Sequence, residues 1–104
     1  AYTPALGLDS LRERIAAHYA SQYGCAVAAE RIVITAGASA ALLLAMAALV
    51  NDGDEVLMPD PSYPCNRHFV TAFGGRAVLV PSGPSERFQL SSATVAAAWG
   101  ARTR

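Results

Sequence analysis

Two stretches decide how this chain is read: VITAGASAALLLAMAALV, Val33 to Val50, and VLMPDPSYPCN, Val56 to Asn66. The first opens with β-branched residues, turns through Gly37, Ala38 and Ser39, and runs on as a helix that is apolar on every side. The second is a short apolar run closed by Pro59 and Pro61, with Tyr63 set between Ser62 and Pro64. A β-run that feeds a small-residue turn and then a helix is the opening of a βαβ unit. A helix without a polar face is expected to be a core helix wedged against a sheet, holding the turn before it rigid.

Working outward, the pattern repeats. Leu8, Leu11, Ile15, Tyr19 and Tyr23 recur at helical spacing and leave Arg12, Glu13, Arg14 and Gln22 on the other face. Asp9 or Ser10 is the expected cap, Ser10 and Glu13 have capping-box spacing, and Gly24 is the expected stop. Arg31 to Thr35 reads as a strand and about Ser39 to Val50 as a helix. Glu55 to Met58 reads as a second strand and Tyr63 to Phe73 as a helix after its first turn. Ala77 to Val80 reads as a third strand, and Ser91 or Ser92 caps a last helix reaching about Trp99. Strands alternating with helices predict an α/β fold with a mostly parallel sheet in a three-layer αβα arrangement. Continuous apolar strands such as VLM and AVLV fit a sheet covered on both faces.

The totals narrow the function. The chain has 104 residues, 53% hydrophobic and 15% charged, with a formal net charge of +0. That is too apolar for a disordered chain, and without charge runs nothing suggests nucleic acid or an anionic membrane surface as a partner. The longest apolar run, Ala40 to Val50, is far short of the roughly 18 residues a membrane span needs. Cys25 and Cys65 form no CxxC and read as free thiols in a reducing, cytoplasmic compartment. The two histidines and two cysteines have no metal-ligand spacing. All eight basic residues are arginine, and there is no lysine.

In a parallel sheet the ligand crevice lies at the carboxyl ends of the strands, where both opening stretches place their turns. A helix start offers unpaired N–H groups and the positive end of the dipole, which attract phosphate. Small side chains let the anion approach, and the Ser39 hydroxyl can add a bond. Any strand–turn–helix also needs small residues and a cap, so the local pattern alone leaves both readings open. GxGxxG and GxxxxGK[ST] are absent, which argues against a dinucleotide fold or a P-loop. Tyr63 either covers the core edge or lays a flat ring against a heteroaromatic ligand. Together, an anion site and a stacking ring at neighbouring strand ends describe an aromatic phosphate.

Read in order, three blocks resemble the class I/II aminotransferases, the fold-type I enzymes that use pyridoxal 5′-phosphate (PLP). They are YTPALGLDSLRERIAAHYASQYG (Tyr2 to Gly24), ERIVITAGASAALLLA (Glu30 to Ala45) and GDEVLMPDPSYP (Gly53 to Pro64). The resemblance implies that Ala38, Ser39 and Ala40 bind the cofactor phosphate, with Ser39 the hydroxyl donor, and that Tyr63 stacks on the pyridine ring. It implies that Tyr2 reaches the phosphate of a partner subunit across a homodimer interface, although packing near a terminus would equally account for a Tyr there. It also implies amino-acid and 2-oxo-acid substrates. The family's cofactor-binding lysine, its aspartate, asparagine and tyrosine on the ring, and its carboxylate-binding arginine would all fall beyond Arg104. Residues 1–104 are therefore expected to be a partial large, PLP-binding domain. The N-terminal arm, the rest of that domain and the small domain would lie outside it, leaving sheet edges and an apolar flank uncovered. Without lysine this chain cannot form a lysine–PLP Schiff base, and arginine cannot substitute because it stays protonated.

Two alternatives remain open. One is a catalytically inactive module of the same fold that binds a phosphate ligand or a partner. The other is a fold-type I lyase, decarboxylase or synthase. His18 reads as a helix boundary residue, Arg67 and His68 as a solvated face, Cys65 as an unactivated thiol and Asp60 as a turn former.

Overall fold

The structure of the chain, a computed structural model, describes residues 2–104. It divides into one unit through Ala41 and a second from Leu42 to Arg104, with the boundary inside a helix.

The first unit is organised by α1, Asp9–Tyr23. Its N-cap is Leu8 in extended backbone, with no side-chain cap, so neither Asp9 nor Ser10 caps it as expected. Asp9 lies instead in the first turn, where its carboxylate accepts from Arg12 at 2.9 Å. The stop is as expected: Gly24 takes the left-handed conformation, φ 62°, and donates to the Ala20 carbonyl.

Arg12 departs from its expected place on the solvated face and is the buried residue of α1. Its guanidinium donates to the carbonyls of Ala29 (2.8 and 3.1 Å) and Ile32 (2.9 Å). These carbonyls belong to a 3-10 turn, Ala29–Arg31, and to the residue that ends it. Arg12 thus fastens α1 to the chain that leads into the small-residue turn.

The segment expected to be the first strand is not one among the described residues. It is locally extended, and the Ile34 N–H donates to the Leu6 carbonyl at 2.9 Å. A β-branched run sets the backbone conformation, but a strand also needs a neighbour's ladder, which this segment lacks here.

α2, Gly37–Leu49, begins two residues earlier than expected and has no buried residue. Leu42, Leu43, Leu44 and Leu49 are exposed. The expectation of a buried core helix is therefore not met in this chain. A helix apolar on every side needs neighbours all round, and the described chain does not supply them.

In the second unit, β1 (Glu55–Asp60) and β2 (Arg76–Pro81) pair in parallel, from Glu55 opposite Arg76 to Asp60 opposite Pro81. α3, Cys65–Ala72, makes the crossover and packs on β2. Val70 of α3 is fully buried, with Met58 of β1 and Val80 of β2 close behind. α4, Ser92–Ala98, also packs on β2. Its cap is Ser91, whose hydroxyl accepts from the Thr94 N–H at 3.1 Å, as the sequence predicts.

The start of β1 is held on its other edge by the chain end. The Glu55 N–H donates to Arg102 (2.8 Å), and the Arg104 N–H donates to the Glu55 carbonyl (2.9 Å). The charges follow the backbone. Arg76 and Arg102 converge on the Glu55 carboxylate, and Arg104 lies 3.4 Å from that of Asp54. Arg76 first, then Arg102, hold the Glu55 carboxyl below its ordinary range. The Asn51 backbone N–H, at 2.9 Å, does the same for Asp54, with smaller help from the Asn51 side chain and Arg104.

Because both carboxyls are acidified in the folded state, that state binds protons less readily than the unfolded chain. The stabilisation is fully present above the unfolded carboxyl values of about 4 and is lost as pH falls below them. Urea midpoints measured from pH 7 down to pH 3 should hold steady and then drop, and Glu55→Gln should flatten that drop.

Candidate functional site

The turn that opens α2 is built from Thr35, Ala36 and Gly37. Gly37 has φ +83°, a conformation L side chains rarely adopt, and a Cβ built there would meet nothing within 4 Å. Glycine is thus required by backbone conformation, and the space beside it is open. Both backbone groups of Gly37 turn back on Thr35: its N–H donates to the Thr35 carbonyl (2.8 Å), and its carbonyl accepts from the Thr35 hydroxyl (2.9 Å).

Ala38, Ser39 and Ala40 follow in the first turn of α2, where the N–H groups of Ala38 and Ser39 have no acceptor within the helix. Ser39 is exposed, and no acidic residue stands in the first turn to repel an anion. Free donors, a hydroxyl, open space at Gly37 and no carboxylate are a donor set that fits a phosphate.

Tyr63 lies in the second unit, just past the carboxyl end of β1. The cis Asp60–Pro61 peptide precedes it and Pro64, the N-cap of α3, follows. Its carbonyl accepts from the Asn66 N–H at 3.2 Å, which anchors the backbone, and the residue is 60% exposed. A rigid backbone presenting an accessible ring suits stacking on a flat ligand. Tyr2 is fully exposed in the segment before α1.

His18 joins an aromatic ladder on α1, with its ring 5.8 Å from that of Tyr23, which in turn is 5.3 Å from Tyr19. Arg67 and His68 are exposed on α3, and both cysteines are free thiols. Among the described residues no cluster of His, Cys, Asp and Glu could hold a metal ion, and no helix is long and apolar enough to cross a membrane. Sequence reading missed Arg12 and Thr35. Thr35 stands two residues before the turn glycine, spacing that lets its hydroxyl reach the Gly37 carbonyl.

Comparison with known proteins is consistent along the whole chain. Residues 1–101 match the family described as aminotransferase class I and II. The valine–pyruvate aminotransferase of Mycobacterium tuberculosis is 44% identical over 88 residues, 85% of this chain and 23% of the relative. The arginine–pyruvate transaminase of Pseudomonas aeruginosa is 38% identical over 103 residues, 99% of this chain and 26% of the relative. Among solved structures, an aspartate aminotransferase from Thermus thermophilus superposes with a TM-score of 0.93 at 32% identity, covering 100% of this chain and 27% of that one. The chain thus spans about a quarter of the length of the relatives it matches.

Proposed function

The chain belongs to the class I and II aminotransferase family, and on that premise we propose that it is the opening part of the large, PLP-binding domain of a longer aminotransferase. The observation that carries the reading is the start of α2: a forced Gly37 turn followed by Ala38, Ser39 and Ala40, with free donors and no acid. In that enzyme these residues hold the cofactor phosphate, and Tyr63 supports the pyridine ring. Bound PLP supplies an electron-accepting ring through which an amino group passes between an amino acid and a 2-oxo acid. The residues present here bind and orient; with no lysine, none of them can form the lysine Schiff base that anchors the cofactor. The protein works in the cytoplasm as a homodimer, with Tyr2, free of its own fold, reaching the partner's phosphate site.

The test is to saturate the full protein with PLP, reduce with borohydride and map the labelled peptide. The adduct should fall on a lysine outside residues 1–104, and a panel of amino acids with 2-oxo acids should show transamination. Phosphate-dependent binding without any adduct or turnover would instead favour the inactive module. Loss of carbon dioxide or of a side-chain group in place of amino transfer would move the protein to another PLP reaction.

A further inference from the structure

We propose that Thr35 is a positioning residue for the cofactor phosphate, acting through the Gly37–Ala38 peptide. The inference rests on the phosphate-binding reading of the α2 turn and adds a residue to it.

A peptide unit is planar and trans, so its N–H points opposite to its C=O. The Thr35 hydroxyl donates to the Gly37 carbonyl at 2.9 Å. Together with the bond a carbonyl in the first turn accepts within the helix, it holds the plane of the peptide whose other end is the Ala38 N–H, and so the direction in which Ala38 donates. It also polarises the unit, since a carbonyl that accepts a bond leaves its own N–H a stronger donor.

The need for such a brace is visible in the turn. Gly37 sits at φ +83° with nothing within 4 Å of a built Cβ, so packing does not hold it. Glycine left alone has the widest choice of backbone conformations. The Gly37 N–H is already taken by the Thr35 carbonyl at 2.8 Å, so it is not offered to a ligand. The donors therefore begin at Ala38, and Thr35 closes both sides of the residue before it. A donor array fixed in advance binds an anion without having to order the loop first.

The experiment is calorimetric titration of the full chain with pyridoxamine 5′-phosphate and, separately, with pyridoxamine. Neither probe needs a lysine. Thr35→Val keeps the volume and the β-branch but removes the hydroxyl; Thr35→Ser keeps the hydroxyl. The unsubstituted chain should prefer the phosphorylated probe. Thr35→Val should bind that probe about tenfold more weakly and pyridoxamine unchanged, and Thr35→Ser should restore the preference.

If Thr35→Val keeps the full preference, the positioning role is wrong and the phosphate reading stands. If Thr35→Val weakens both probes alike, or Thr35→Ser fails to restore the preference, the hydroxyl serves only folding and the proposal falls. If the unsubstituted chain itself shows no preference for the phosphorylated probe, the phosphate reading fails and takes this inference with it.

Discussion

Replacing Arg12 by Met should lower the stability of the chain by about 3 kcal/mol or more, read as a shift in the urea midpoint. Methionine fills much of the same apolar path, so the loss reports the guanidinium rather than a cavity. Arg12 retains only 7% of its surface and donates to the carbonyls of Ala29 and Ile32. Without it, those acceptors lose a charged donor inside the fold, and each part-buried group left unmade costs roughly 1–3 kcal/mol. Arg12→Lys should recover less than half, because the three donors of an ammonium radiate from one nitrogen, whereas Arg12 reaches two carbonyls and a carboxylate from three nitrogens. Asp9→Ala is the contrasting control. Its carboxylate pairs with Arg12 at 2.9 Å but is 74% exposed, and pairs of that kind contribute about 0–1 kcal/mol. Equal losses from Asp9→Ala and Arg12→Met would mean that the ion pair, not the backbone bonding, holds α1 to the Ala29–Ile32 segment.

Arg12 also shows where sequence reading reaches its limit. Helical spacing places it among Glu13 and Arg14, and its charge argues for water. Burial depends on what lies across the space, here two carbonyls 17 and 20 residues away in sequence. The run Arg31 to Thr35 fails for the same reason: β-branching dictates extended backbone, but a partner is a non-local fact. By contrast, β1, β2, the helix between them and the Ser91 cap were legible because each is signalled within a few residues. The α2 turn was legible because left-handed backbone demands glycine, and Gly37 stands there. The apolarity of α2 predicts burial, yet none of its residues is buried in this chain. Composition states what a surface requires, and only the neighbouring chain supplies it.

The second large effect concerns Gly75, which follows Gly74 in the short link between α3 and β2. Gly74 has φ +77°, so its glycine is dictated by backbone conformation. Gly75 carries no such constraint; what it needs is room. A Cβ added at Gly75 would stand 2.6 Å from Val50 Cγ1 and 2.8 Å from Val70 Cγ1. Both valines are buried, Val70 completely, so neither can swing aside into solvent. Gly75→Ala should therefore cost about 1–3 kcal/mol, the range for overpacking a tight core. This opposes the usual expectation that an alanine at a permissive glycine stabilises by about 0.4–1 kcal/mol through the unfolded chain. The steric origin has a direct check. Val70→Ala alone opens a hole and destabilises, yet combined with Gly75→Ala it makes room for the new methyl, so the double variant should lose less than the sum of the two singles. Strict additivity would locate the cost in the backbone and remove the close approach of α3 to the start of β2 as the reason for glycine at this position.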